Sequence, residues 1–252
     1  MNALSIAKTP RSVKRHSNAA IFMHWFNAVC WILLLATGFG LLANKLTQPV
    51  AQWWVNFMEI VFKGGGGLLD AHVAIAITWV LVFGVMTLIR WKFDSWPFLK
   101  EITAISPKSD VIWMIRKGFW LVIGPKSMRK IGLDPNLPPQ GFYNAGQKYV
   151  AIAAVLCSLG LVSSGGALLF TREIWASQPL AQWLILLHFC CASLMVILLP
   201  VHIYMAALAP GEMPALKSMF TASVPLDFVK HHNPLWFDKL NNEAKVDEPN
   251  KG

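Results

Sequence analysis

Four long runs along the chain carry no Lys, Arg, Asp or Glu: residues 19–43, 71–89, 149–170 and 180–209. Each falls in or above the range of about 17 to 25 apolar residues that a helix needs to cross the hydrocarbon of a bilayer. A helix satisfies its own backbone hydrogen bonds in lipid, and runs of this length are not strands of a barrel. The pattern therefore predicts an all-α, integral membrane four-helix bundle over residues 19–209. A cytoplasmic basic tail, residues 1–18, precedes it and a cytoplasmic C-terminal tail, residues 210–252, follows. Between the runs lie an outer segment (44–70), a long inner segment (90–148) and a short outer turn near Arg172.

Within the inner segment, residues 110–123 interleave Trp113, Met114, Ile115, Phe119 and Trp120 with Arg116 and Lys117. That mixture predicts a helix lying at the membrane interface or beneath a partner. Residues 64–67 are consecutive glycines; they lack the Gly-Lys-Ser/Thr ending of a phosphate loop and predict a flexible loop leading into the second run. The polar, charged tail beyond Asn241 is expected to be disordered.

Charge assigns the sides. Nineteen of the 22 Lys and Arg lie before residue 19, between residues 90 and 148, or after residue 210, against Lys45, Lys63 and Arg172 elsewhere. By the positive-inside rule this places both termini in the cytoplasm. The formal net charge of +9 follows topology and contact with anionic lipid; no basic patch with interleaved exposed aromatics points to nucleic acid. Cys30, Cys157, Cys190 and Cys191 all fall inside the apolar runs, which excludes a disulfide framework in an outer domain. No Cys-x-x-Cys-His occurs, and no cysteine spacing suits an iron–sulfur cluster. The first run follows Arg11, Lys14 and Arg15 as a signal peptide would, yet its length and its histidine mark it as a retained span.

The chemistry lies in four histidines set in the apolar runs: His24, His72, His188 and His202. An ionisable ring in hydrocarbon is costly and is by default a functional candidate. His188 and His202, fourteen residues apart, are separated by about 21 Å of helix rise with a rotation mismatch of only about 40°, so both face one side of the fourth span. His188 lies toward the outside and His202 toward the cytoplasm. The first span starts inside and the second outside, which puts His24 at the inner level and His72 at the outer. Two depth-matched pairs result, His72 with His188 and His24 with His202. Each suits the two axial imidazoles of a haem iron with no covalent link, the b-type arrangement. Pro200 is placed to kink the fourth span near His202. Gly38, Gly40, Gly160, Gly165 and Gly166 either make room for flat macrocycles or allow close helix packing. His16, His231 and His232 lie outside the runs and are read as solvated.

With these features on the page, the sequence resembles the cytochrome b (gamma) subunit of membrane-bound respiratory formate dehydrogenases, related to the cytochrome b of nickel–iron hydrogenases and thiosulfate reductases. The resemblance spans nearly the whole chain. It rests on His-Trp-Phe-Asn at residues 24–27, on His72 opening the second span and on the fourteen-residue spacing of His188 and His202. Most specific is Phe-Tyr-Asn-Ala-Gly-Gln-Lys at residues 142–148. It implies two haem b groups in a bacterial cytoplasmic membrane. It also implies an iron–sulfur (beta) partner on the outer side, a molybdenum or tungsten catalytic (alpha) subunit beyond it, and menaquinone or ubiquinone as acceptor near the inner haem. By motif, Asn144 and Gln147 become quinone-site candidates beside His202. Asn-x-x-Gln ahead of an apolar helix is equally a capping box, and the two roles are compatible. The Gly-rich outer segment departs from the family pattern on the face toward the partner. A histidine-relay transporter would need intramembrane carboxylates or repeated halves, which the chain lacks, and a passive anchor would not need the four histidines.

Overall fold

The computed structural model describes residues 12–42, 50–171 and 178–246. Lys45, Arg172 and the ends of both tails therefore lie outside the described residues. The chain forms two compact units, one of Ser17–Trp96 with Cys157–Leu199, the other of Met1–His16, Pro97–Leu156 and Pro200–Gly252.

In the first unit, helix α1 (Asn18–Leu41) opens at Ser17, whose hydroxyl accepts from the Ala20 N–H at 3.0 Å and donates to Asp94 Oδ1 at 2.7 Å. The outer segment is not a bare loop. Helix α2 (Gln52–Val61) buries Val55 and Met58. Chain reversal then occurs at Lys63 and Gly64, with φ of 60° and 107°, a left-handed region that glycine enters freely. Helix α3 runs from Gly65 to Ile89, so three of the four glycines form its first turn. At Gly67 the reason is steric: any Cβ would run into the Phe62 carbonyl. The expected flexible loop is instead a tight, glycine-dependent corner.

Trp31 and Trp79 meet edge to face at 6.0 Å, and Trp79 Nε1 donates to Asn27 Oδ1 at 2.7 Å. Further along, Thr37 meets His72. Ascending α1 thus descends α3, and the two are antiparallel. Cys30, Trp31 and Trp79 form a small core joined by Phe26, Leu161 and Met195. Helices α4 (Trp96–Thr103), after a single π turn at Trp91–Ser95, and α5 (Pro107–Lys130) follow. Helices α6 (Ala145–Thr171) and α7 (Gln178–Ile203) are the two remaining long apolar elements. Ser164 reaches His188 and Gly160 lies against Cys191, so α6 and α7 also run antiparallel here. Pro200 stands inside α7, which passes into a π turn at Tyr204–Leu208.

The second unit holds what the sequence presents as inner segment and tails. Helix α5 breaks at Gly124 (φ 74°, ψ 161°) with Pro125 beginning the next turn, so its regular part ends where the mixed apolar and basic stretch ends. Strands β1 (Ser12–Lys14) and β2 (Ser223–Pro225) pair antiparallel, with Val13 opposite Val224. Around them lie α8 (Met213–Thr221), α9 (Leu226–His232) and α10 (Pro234–Val246). Val224, Phe228, Val229 and Trp236 make the core, with Val13, Phe142, Ala215, Phe237 and Leu240 packed on it. The tail beyond Asn241 is thus helical to Val246, because Trp236, Phe237 and Leu240 anchor the helix of which it is the end. Residues 247–252 lie outside the described residues.

Four helices are long and apolar enough to cross a membrane, over Asn18–Leu41, Gly65–Ile89, Ala145–Phe170 and Pro179–Leu208. Only 11%, 6%, 11% and 0% of their most apolar windows are buried within the chain. Faces carrying Phe22, Ile32, Val85, Leu156, Leu187 and Ile197 are exposed to the surroundings. Apolar surface on that scale needs lipid or a partner to cover it.

Candidate functional site

His72 and His188, 116 positions apart in sequence, come together in the first unit with ring centres 6.4 Å apart and planes at 66°. Two imidazoles on opposite sides of one metal, each bonded at about 2.0 Å with its ring centre about 1.1 Å behind the nitrogen, stand roughly 6.2 Å apart. The observed separation suits a shared metal ion, and with planes at 66° the two rings meet edge-on and are not stacked.

Each ring is gripped at Nδ1. Thr37 Oγ1 lies 2.8 Å from His72 Nδ1, and Ser164 Oγ lies 3.0 Å from His188 Nδ1. The residue after each hydroxyl is a glycine facing the same ring. A Cβ at Gly38 would come within 3.4 Å of His72 Cε1, and one at Gly165 within 3.3 Å of His188 Cε1. Gly40 and Gly160 serve helix packing instead, against Met58 with Leu68 and against Cys191, while Gly166 faces open space. Close packing is thus what Gly38, Gly40, Gly160 and Gly165 show, the first and last of them against the imidazole rings. Thr37 and Ser164 were not singled out from sequence; the available signal was a hydroxyl residue directly before a glycine within an apolar run.

The residues fit a haem. Two neutral imidazoles would hold its iron through Nε2, and each ring has at Nδ1 the kind of partner that metal-bound histidines usually possess. Their position partway along apolar helices would keep bulk water from a metal held there. His72 stands beside Thr37, thirteen residues along α1 from His24, a separation of about 20 Å. His24 therefore belongs to another level. It is half-buried, with Trp25 edge-on at 5.3 Å. Asn27 of the same motif supports Trp79. His202, near the end of α7, lies in the second unit and is exposed there.

Asn144 and Gln147 form a reciprocal capping box at the start of α6. Asn144 N–H donates to Gln147 Oε1 at 3.1 Å and Gln147 N–H to Asn144 Oδ1 at 2.9 Å. Because both partners are N–H donors, the oxygens are assigned by geometry, and both side-chain NH2 groups are left without a hydrogen-bond partner among the described residues. Gln140 Oε1 accepts from Ala145 N–H at 2.6 Å, satisfying another amide of the helix start that has no partner within the helix. One step further, Lys148 Nζ donates to Ala104 O at 2.7 Å and meets buried Asp110 at 3.2 Å.

Nearby, Arg15 Nη2 donates to Phe142 O at 3.1 Å, and the guanidinium lies 5.1 Å above the Phe142 ring and 5.5 Å from that of Trp236. Its Nη1 is buried without a partner among the described residues, and burial lowers the guanidinium's affinity for the proton. Burial likewise pushes the Tyr143 phenol up to about 12, against the opposing pull of Arg15. Of the histidines read as solvated, His231 and His232 are exposed and His16 is half-buried. His232 also stacks on Phe228 at 4.1 Å and stands 3.9 Å from Glu212.

A sequence model of the family described as prokaryotic cytochrome b561 matches residues 15–222. Curated relatives named formate dehydrogenase, cytochrome b556(fdo) subunit, occur in Escherichia coli strain K12, strain O6:H1 and O157:H7. Each is 24% identical over 237 residues, covering 93% of this chain and 96% of the relative.

Proposed function

The chain belongs to the prokaryotic cytochrome b561 family, and from that premise we propose that it is the di-haem membrane subunit of a respiratory formate dehydrogenase. It would carry electrons from a partner iron–sulfur subunit to menaquinone or ubiquinone in the bacterial cytoplasmic membrane. The observation that carries this reading is the His72/His188 pair at 6.4 Å, each ring held at Nδ1. The near-full-length likeness to formate dehydrogenase cytochrome subunits favours formate oxidation as the source of the electrons.

In this reading His72 and His188 hold the outer haem, and His24 and His202 hold the inner one. The second pairing rests on their depths in the sequence. Haem b, when bound, supplies a reversible one-electron iron couple. The protein contributes four neutral imidazoles, apolar helices that exclude water, and the hydroxyls that orient two of the rings. On the cytoplasmic side, the free NH2 groups of Asn144 and Gln147 donate hydrogen bonds to a quinone carbonyl, while their oxygens maintain the helix start. Formate itself is handled by a molybdenum or tungsten subunit, in keeping with the likeness to formate dehydrogenase cytochrome subunits.

The test is the intact complex purified from membranes. Its reduced-minus-oxidised spectrum is expected to show low-spin haem b, two per copy of this chain. His202→Ala should lose the inner haem and quinone reduction while the outer haem remains reducible through the partner. A colourless chain from cells supplied with haem would end the cytochrome reading, and retention of both haems in His202→Ala would end the pairing.

A further inference from the structure

We propose that Thr37 and Ser164 are positioning residues that hold His72 and His188 as Nδ1–H tautomers, leaving each Nε2 lone pair available for iron. The inference rests on the reading of these histidines as haem ligands and adds how the protein sets that haem's chemistry. Each hydroxyl has a single proton and a backbone carbonyl of its own helix within reach. Thr37 Oγ1 lies 2.8 Å from Leu33 O and 3.2 Å from Leu34 O, and Ser164 Oγ lies 2.6 Å from Gly160 O and 3.3 Å from Leu161 O. A carbonyl only accepts, so a hydroxyl proton directed there turns an oxygen lone pair toward the imidazole. The contacts of 2.8 and 3.0 Å at Nδ1 are then satisfied by a proton on that nitrogen. The opposite arrangement, with the hydroxyl donating to Nδ1, would leave the ring proton on Nε2 and block ligation.

On both sides of the site the imidazole N–H meets a hydroxyl and the hydroxyl meets a helix carbonyl, and at His188 the Leu161 carbonyl is a second acceptor for the same ring proton. Helix α1 supplies one hydroxyl and α6 the other. In each, the following glycine lets the helix backbone approach the ring, 3.4 and 3.3 Å being the distances a Cβ would leave. Accepting the Nδ1 proton makes a ligand more basic, and a more basic ligand favours ferric over ferrous iron. The two hydroxyls therefore lower the reduction potential of the haem held by His72 and His188 and leave the other haem alone.

The experiment is a redox titration of the membrane-embedded complex, following each haem by its absorbance, in Thr37→Val, Thr37→Ser and Ser164→Ala. Thr37→Val keeps the side-chain shape without the hydroxyl, and the haem assigned to His72 and His188 should titrate at a higher potential. It should also be lost to detergent about 10-fold more readily or worse, as is typical when a ligand's outer-shell partner is removed. Thr37→Ser should restore the native potential, and Ser164→Ala should repeat the upward shift from the other ligand. Should Thr37→Val fail to assemble, Ser164→Ala carries the same test. Unmoved potentials at full haem content, or equal shifts in both haems, would overturn the proposal. Failure of the ligand assignment itself reads differently: His72→Ala would then retain both haems.

Discussion

Asn144 and Gln147 are proposed to serve structure through one atom and chemistry through another. Their oxygens close the start of α6, and their NH2 groups have no hydrogen-bond partner among the described residues. Two substitutions separate these roles. Gln147→Glu keeps an oxygen acceptor for the cap, since glutamate serves in a capping box as well as glutamine, but removes the donor. It should leave thermal stability and haem content unchanged while slowing reduction of a soluble quinone analogue by the complex. Gln147→Ala should show the same slowing and in addition lose about 1 kcal/mol of stability with the cap. Native turnover in both variants would leave Gln147 a capping residue only. Thr37 and Ser164 belong to the same scale, each acting through a single oxygen on one ring nitrogen.

At the level of elements, corners place the site as much as helices do. The reversal between α2 and α3 sets where α3 begins, and His72 follows seven residues later. Gly64 supplies the left-handed turn and Gly67 the close approach to Phe62. Gly67→Ala should therefore cost about 1 to 3 kcal/mol, as overpacking does, read as a lower melting temperature of the detergent-solubilised complex. Gly66→Ala, which meets open space within α3, should be neutral or raise stability by up to about 1 kcal/mol through helix propensity. Equal behaviour of the two variants would refute the steric account. Similar physics runs through the second unit. Buried Asp110 and Lys148 tie α5 to the start of α6, and Lys148 also satisfies the carbonyl of Ala104 just beyond α4. Removing one member of such a pair leaves an unmatched charge in a dry place.

For the whole molecule the governing fact is the solvent. Helices whose apolar windows are at most 11% buried within the chain are stable only where hydrocarbon or a partner replaces water. The distribution of charge then gives the orientation: nineteen of 22 basic residues lie at the termini or between the second and third spans, so those parts are proposed to face the cytoplasm. A green fluorescent reporter fused after residue 252 should fluoresce, whereas alkaline phosphatase at the same position should be inactive. The reverse pattern would invert the topology and exchange the inner and outer assignments of the histidine pairs.

Four spans and four histidines were legible from one dimension, because lipid permits few backbone solutions and a polar ring stands out in an uncharged run. The helix at residues 110–123 was legible from its mixture of large apolar side chains with Arg116 and Lys117. Contacts made at a distance were not. Thr37 lies 35 positions from His72, and Ser164 lies 24 from His188; nothing in either hydroxyl's neighbourhood names its partner. Helix α2, the glycine corner and the continuation of α10 to Val246 were likewise decided by packing, through Met58 against Gly40 and through Trp236 and Leu240 on the core around Val224. Sequence determined which side chains this protein buries in the membrane. Tertiary structure decided which atoms of those side chains are held and which remain free, since that depends on what each one meets.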